Sequence, residues 1–164
     1  MACRGVLFAI DDETVKRLVA AVGDDDAVIQ VAGEIEDRWE AGYVAETDKS
    51  WDAMHRALSD GSLDYDAGEY PLNRCILGGQ QLHSGEEWIV ALVTRAEVPE
   101  VAAALDLIDE PAFRARYFGL VPKDYAPEYG EQDFEYTWDN FEDVAELYAN
   151  AAAAGRAVLF TVSQ

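Results

Sequence analysis

An apolar run near the N-terminus, RGVLFAI at residues 4–10, has a length that suits a buried strand better than a helix. A comparable run, RAVLFTV at residues 156–162, lies close to the other end of the chain. Residues 88–94 make a third candidate for a central strand, and residues 43–46 make a short fourth. We therefore expect both ends of the chain to enter one sheet, which would tie the chain into a single core.

Apolar residues recur at helical spacing in the segments between these strands, as at Val15, Leu18, Val19 and Val22. Helices are predicted over residues 12–22, from the acidic triplet 24–26 to Gly42, over 49–60 with Asp48 as the cap, over 98–109, from Pro111 onward, and from Trp138 to Gly155. We therefore predict a single α+β domain over residues 1–164. Five to six helices would pack on a mixed sheet of about four strands.

The chain is strongly acidic. It contains 33 Asp and Glu residues and 12 Lys and Arg residues, which give a net charge of −21. Such a surface repels the phosphates of nucleic acids and of anionic membranes, so we expect neither as a partner. It would attract a basic protein or a cationic ligand. The alternative is that the charge serves solubility alone, as in a salt-adapted or GC-rich proteome.

Motifs of the commonest enzyme and cofactor chemistries are missing from the sequence. There is no HExxH, GxSxG, GxGxxG or Walker pattern, and neither Cys3 nor Cys75 belongs to a CxxC pair. We expect no metal, no cofactor and two reduced cysteines. No apolar stretch approaches the roughly 20 residues of a membrane span, and the N-terminus lacks a signal-peptide pattern, so we expect a cytoplasmic location.

The most distinctive segment is DKSWDAMH at residues 48–55. It is accompanied by Gly61, ILGG at 76–79, Glu97-Val98 and a tail that runs from Trp138 through Tyr148 to Gly155. This set resembles the YfbM-like family of small bacterial proteins, in order and over nearly the whole chain. The resemblance implies an α+β fold and a domain of unknown function. It assigns no catalytic residue, because the family has no established activity.

His55 is the first candidate for chemistry. It lies on the same helical stripe as Trp51, and Asp52, three residues before it, is placed to hold its imidazole in one tautomer. A histidine oriented in this way could act as a general base on water or on a nucleophile. The competing interpretation is a core histidine with a structural hydrogen bond, since no serine or cysteine lies at a known nucleophile motif.

If His55 acts in chemistry, the residues around it are expected to form a small-molecule binding site. The paired glycines indicate a tight turn or a close approach of two backbones, and His83 lies in a polar loop with a serine and two glutamates. The candidate ligand-binding residues are Asp48, Trp51, Gly78, Gly79 and His83. The alternatives are core packing for the tryptophan and a solvated turn for the histidine.

Residues 124–155 have a density of acidic residues above the chain's average, with nine acidic residues and no lysine or arginine. Tyrosines lie among these acids, and such a surface suits recognition of a cationic protein. The candidate partner-binding residues are Tyr129, Glu131, Asp133, Tyr136, Glu142 and Glu146. On the predicted last helix, the acids are expected to point away from the apolar face that includes Phe141. The alternative is that the tyrosines fold back onto the core.

These observations predict a non-enzymatic binding protein for a basic protein partner, an inhibitor or immunity-like protein being one example. The alternative is a small-molecule-binding domain or a weak hydrolase with its site near His55. A flat acidic face with aromatic residues would favour the first, and a deep cleft lined by His55 would favour the second. The sequence leaves the oligomeric state open.

Overall fold

A computed structural model describes residues 3–122, 125 and 130–163. Its centre is a sheet of five strands: β1 (Gly5–Ile10), β2 (Val44–Asp48), β3 (Gln80–Gln81), β4 (Trp88–Val93) and β5 (Ala157–Ser163). Their order in the sheet is β2-β1-β5-β4-β3. The apolar runs from the two ends of the chain, β1 and β5, are neighbours in the middle of the sheet. The prediction that both ends enter one sheet is therefore confirmed.

The described residues include six α-helices: α1 (Asp12–Ala21), α2 (Asp25–Arg38), α3 (Trp51–Leu58), α4 (Val98–Asp106), α5 (Glu110–Leu120) and α6 (Gly130–Ala154). Helices α1 and α2 cover one face of the sheet, where Leu18 and Val28 share a buried cluster with Phe8. Helices α3 to α6 cover the other face, where Phe141 joins Phe160. Strands β1 and β5 are buried on both faces by these layers, which explains their continuous apolar sequence.

The α+β class and the number of helices are confirmed, but the sheet differs from the expected mixed sheet of about four strands. The fifth strand, β3, has two glutamines, too few and too polar to make a strand pattern. Each pair of neighbouring strands is antiparallel. Strand direction depends on how the connecting helices cross the sheet, which the local pattern of apolar residues does not encode.

The predicted cap of α3 is wrong. Asp48 ends β2 with a φ of 47°, and Ser50 stands before the helix without a side-chain bond to it. Ser50 Oγ instead donates to the carbonyl of Thr47 at 2.6 Å, which closes a tight turn between β2 and α3. The side chain of Asp48 accepts a hydrogen bond from α6 instead, as described below.

Two further differences concern the surface beside β2. Helix α6 begins at Gly130, well before the predicted start at Trp138, so Tyr136 lies on the helix and not before it. Trp39, which lies within the segment predicted as the second helix, instead follows α2 with a φ of 41° and is 46% exposed. Both differences affect the lining of a groove between α6 and β2, which is described below.

Candidate functional site

Trp51 anchors the first turn of α3 to the sheet. Its ring lies 5.9 Å from that of Phe160, and its Nε1 donates to the carbonyl of Cys3 at 2.8 Å. A Cβ at Gly5 would lie 2.7 Å from this ring, so a glycine is required there. Trp51 is 6% exposed and is therefore mainly a core residue.

His55 lies one turn further along α3 and is 1% exposed. Its Nε2 is 2.9 Å from the carbonyl oxygen of Asp64, to which it donates, since a carbonyl oxygen only accepts. Burial lowers the pKa of His55 because it penalises the charged ring, which keeps the imidazole neutral at pH 7. The carboxylate of Asp52 accepts from Arg56 Nε at 2.7 Å instead of orienting the ring. The predicted histidine–carboxylate pair is therefore replaced by two structural contacts.

A cavity of about 320 Å³ lies beside α3. Its lining consists of Trp51, Leu63, Asp64, Tyr65, Leu77 and Ile89. His55 is not among these residues, and the lining contains no serine, cysteine or lysine. The cavity has room for a small apolar molecule, but its walls offer no pairing of a base with a nucleophile.

The paired glycines hold two backbones close together. A Cβ at Gly78 would come within 2.0 Å of the carbonyl oxygen of Asn73, and one at Gly79 within 2.6 Å of that of Leu92. Arg74 Nη1 also donates to the carbonyl of Gly78 at 2.9 Å. The predicted close approach is confirmed, and neither glycine lines the cavity beside α3.

His83 lies in the loop between β3 and β4, next to the start of α2. Its Nδ1 is 3.2 Å from the carbonyl oxygen of Gly85, and its Nε2 is 3.9 Å from Asp25 Oδ2. Ser84 donates to Asp25 from its backbone N at 3.0 Å and from Oγ at 2.7 Å, which lowers the pKa of that carboxyl. Because the hydroxyl binds the carboxylate and not the imidazole, this group attaches the loop to α2 and forms no nucleophile–base pair.

Acidic residues in the first turn of α6 have partners on α5. Arg114 donates to both carboxylate oxygens of Glu131, at 2.9 and 2.6 Å, and this lowers the pKa of Glu131. The hydroxyl of Tyr117 donates to the carboxylate of Asp133. Both acids, predicted from sequence to bind a partner, thus hold α6 against α5.

Tyr136 and Asp48, predicted for two different sites, form one contact. The hydroxyl of Tyr136 donates to Asp48 Oδ2 at 2.6 Å. Burial, aided by this hydrogen bond, raises the pKa of Tyr136 to about 12. The contact joins α6 to the end of β2. The remaining tyrosine of the predicted partner surface, Tyr129, lies outside the described residues.

The second half of α6 faces an open groove of about 500 Å³ along β2, which we name the α6–β2 groove. Its lining consists of Trp39, Gly42, Val44, Ala45, Glu46, Asn140, Asp143, Glu146, Leu147 and Asn150. Of the predicted partner-binding residues, Glu146 lines the groove, whereas Glu142 is exposed on α6 outside the lining.

The α6–β2 groove carries uncompensated negative charge. Glu46 pairs with Arg4, but no ion pair among the described residues engages Asp143 or Glu146. The half-exposed ring of Trp39 lies in the same lining. The groove thus combines an aromatic surface with two carboxylates that have no ion-pair partner in the described part of the chain, which is the chemistry that attracts a cationic side chain.

Sequence reasoning missed Trp39, Glu46 and Asp143 as candidate site residues. Asp143 belongs to the acidic segment and lies three residues before Glu146, so helical spacing was a signal for it. Trp39 and Glu46 come from other elements, and the topology of the sheet places them beside α6. No local pattern carries that information.

Residues 3–122, 125 and 130–163 form neither a metal site nor a membrane-spanning helix. Within these ranges no three side chains of His, Cys, Asp or Glu are grouped so that they could hold a metal ion. Within the same ranges, no helix combines the length and the apolar character needed to cross a bilayer. Both cysteines are free, and burial raises the pKa of the Cys75 thiol.

These observations define the class of the molecule. It is an α+β domain with helices on both faces of an antiparallel sheet, and an open acidic groove lies at the edge of that sheet.

The chain belongs to the family described as a domain of unknown function, DUF1877, whose model matches residues 1–161. Its structure is similar to the crystal structure of YfbM from Escherichia coli, a protein of unknown function, with a TM-score of 0.70 and 20% sequence identity. The match covers 97% of this chain and 99% of that chain. At this identity the likeness shows the fold alone. No curated protein matches the sequence. The predicted family is thereby confirmed.

Proposed function

We propose that this protein binds a basic protein partner through the α6–β2 groove and the adjoining acidic surface of α6, without catalysis. The observation that carries the proposal is the groove itself. It offers about 500 Å³ of open space, where Asp143 and Glu146 lie without an ion-pair partner among the described residues, next to the exposed ring of Trp39.

The spacing of the acids on α6 supports a partner beyond the chain. Asp139, Glu142, Asp143 and Glu146 are all exposed, as expected from the sequence, and each of them has two of the others three and four residues away along the helix. Like charges at this spacing destabilise a helix. A cationic partner would relieve this repulsion and would be drawn to the surface from a distance. An inhibitor or immunity-like protein that acts on a basic enzyme would use such a surface.

The alternative function, small-molecule binding near His55, is supported by the cavity beside α3. The hydrogen bond of His55 to Asp64 and the ion pair of Asp52 with Arg56 count against hydrolysis, so we retain binding of an apolar molecule. An apolar fluorescent dye should bind the parent and be excluded by Leu63→Trp, which fills the cavity. Equal dye binding by both proteins would remove this candidate.

The main proposal is tested by affinity capture from a native lysate with three immobilised proteins. The groove variant carries Asp139→Asn, Glu142→Gln, Asp143→Asn and Glu146→Gln. The control variant carries Glu13→Gln, Asp26→Asn, Glu69→Gln and Glu87→Gln, which remove the same number of charges at exposed positions elsewhere. The proposal predicts a basic protein that the parent and the control variant capture at low salt and the groove variant does not. Equal capture by all three proteins would contradict it.

A further inference from the structure

Strand β2 leaves one backbone edge without a strand partner in the described part of the chain. It is the outermost strand on its side of the sheet, and its inner side pairs with β1. The strand at the opposite edge, β3, has two residues, whereas β2 has five. Exposed edges of this length are where further strands add to a sheet.

The register identifies which backbone groups of β2 point outward. Ala9 N donates to the carbonyl of Tyr43 at 2.9 Å, which places these two residues at a hydrogen-bonded position of the ladder, while Tyr43 N donates to the carbonyl of Glu40 at 3.0 Å. Hydrogen-bonded and non-bonded pairs alternate along an antiparallel ladder, which makes Ala45 the next residue bonded to β1. The N–H and C=O groups of Val44 and Glu46 therefore point away from β1, into the α6–β2 groove.

Helix α6 forms the second wall of the groove. Asn140, Asp143, Leu147 and Asn150 lie at helical spacing on the face that lines it. Asn150 Nδ2 donates to the carbonyl of Gly42 at 3.0 Å, which fixes the helix beside the start of the strand. On the strand side the lining includes Gly42, Val44, Ala45 and Glu46, and β2 itself, Val44–Asp48, is about 14 Å of extended chain. This length fits four to five residues of an added strand.

We propose that the partner presents an extended basic segment that adds to β2 as a further strand. Its backbone would pair with Val44 and Glu46, and its alternate Lys or Arg side chains would reach Asp143 and Glu146. This inference rests on the proposed function and deepens it, because it specifies both the conformation and the charge pattern of the segment that is recognised.

The spacing of the groove carboxylates matches an alternating basic strand. Side chains on one face of a strand are about 6.5–7 Å apart. The Cβ atoms of helix residues three apart, as Asp143 and Glu146 are, lie about 5–6 Å apart. Two basic residues separated by one other residue therefore reach both carboxylates. Trp39 offers its exposed ring to a cation on the opposite face of the segment.

A second copy of the chain suits this edge poorly. Each copy carries a net charge of −21, and pairing of two β2 edges would bring Asp48 on the strand and Asp143 and Glu146 beside it close to the same residues of the other copy. Charged residues on an edge strand oppose such self-pairing. The same charges favour a basic segment, so charge complementarity selects it as the occupant.

The test uses a fluorescent nine-residue peptide of alternating lysine and threonine, and binding is followed by fluorescence anisotropy. Two matched peptides carry backbone N-methyl groups, one on every lysine and the other on every threonine. Methylation removes N–H donors and leaves the charge unchanged. Because every second N–H of an added strand faces β2, one methylated peptide should bind at least about tenfold more weakly, and the other should bind like the parent peptide.

The protein variants separate this inference from the proposed function. Strand addition predicts that the groove variant loses the peptide and that the control variant keeps it. If both methylated peptides bind like the parent peptide while the groove variant still loses binding, strand addition is overturned and charge recognition stands. Equal binding by the groove and control variants overturns both. Absence of binding by the parent protein overturns strand addition, and lysate capture then tests charge recognition by itself.

A change in the protein backbone gives an independent readout. Glu46→Pro removes an outward N–H, and Glu46→Gln removes the same charge but keeps the donor. The proline variant should bind the peptide several-fold more weakly than the glutamine variant, and equal binding would contradict strand addition.

In the parent, added peptide should slow hydrogen exchange of the Val44 and Glu46 amides, a readout that does not depend on the folding of a variant. A parent that sediments as a dimer and becomes monomeric with Glu46→Pro would place a second copy at this edge and overturn the proposal.

Discussion

Helix α3 and the α6–β2 groove hold the two sets of candidate residues, and their polar groups are used differently. Around α3, His55 donates to the carbonyl of Asp64, and Asp52 accepts from Arg56. In the groove, Asp143 and Glu146 have no ion-pair partner among the described residues. The segment that is most distinctive in the sequence is therefore the one whose side chains are already engaged.

The difference shows that an unusual sequence motif and an available binding group are separate properties. A buried polar group without a partner costs about 1–3 kcal/mol, so a histidine inside α3 has to be satisfied by the fold. An exposed carboxylate pays no such cost, because water solvates it until a partner arrives. We therefore expect substitutions at α3 to affect stability and substitutions in the groove to affect association.

The largest expected effect is that of Trp51→Ala. This residue is 6% exposed and packs on Phe160, so its loss should lower the free energy of unfolding by about 3–5 kcal/mol. Trp39→Ala is the matched control, because that ring is 46% exposed and meets Phe8 only edge-on, and it should cost less than Trp51→Ala. Chemical denaturation measures both values. A Trp51→Ala curve that overlays the parent curve would contradict the burial of this helix face.

His55→Leu should cost about 1–3 kcal/mol at pH 8, since it leaves the carbonyl of Asp64 without its donor. The cost should shrink as the pH falls. The pKa of His55 is lowered in the folded state from 6.5, so below about pH 6.5 the unfolded parent takes up a proton that the folded parent resists, and the parent loses stability. Denaturation at pH 8 and at pH 5.5 tests this, and a constant difference between the two proteins would contradict a buried neutral histidine.

Tyr117→Phe should destabilise the protein by about 1–2 kcal/mol. It removes the hydrogen bond to Asp133 that holds the first turn of α6 on α5. Tyr65→Phe is the control, because that side chain is 43% exposed and should be nearly neutral. Equal thermal midpoints for the two variants would show that the start of α6 does not depend on this contact.

The smallest expected effect on stability comes from the groove. Asp143→Asn together with Glu146→Gln should change the free energy of unfolding by no more than about 0.5 kcal/mol, or raise it slightly as repulsion along α6 decreases. Urea titration of the double variant measures this. A large loss of stability would mean that these carboxylates have structural partners, and the groove would no longer be an available binding surface.

Much of the fold could be predicted because its elements carry local signals. Strands β1 and β5 are continuous apolar runs, and α6 has an apolar stripe that ends at a glycine. The cap of α3 could not be predicted in the same way. Asp48 is a good capping residue, but the turn that Ser50 makes with Thr47 leaves it at the end of β2. Local preference was overridden by the geometry of a strand–helix connection.

The candidate site was only partly predictable, for a related reason. The sequence placed Glu146 on an acidic helix face, and the structure confirms its exposure. It also suggested Glu131 and Asp133, whose partners Arg114 and Tyr117 lie on α5 and are brought to them by packing. Contacts between distant elements decide which of these acids are paired. The spacing of residues along one helix does not predict such contacts.

The most direct test of the central claim is the association rate of the captured basic partner with the groove and control variants, at low and at high salt. Both variants have the same net charge. At about 0.01 M salt, where charges act over roughly 30 Å, the groove variant should associate on the order of tenfold more slowly than the control variant. At about 1 M salt, where the range falls to roughly 3 Å, the rates should converge. Equal rates for the two variants at low salt would contradict recognition through the α6–β2 groove.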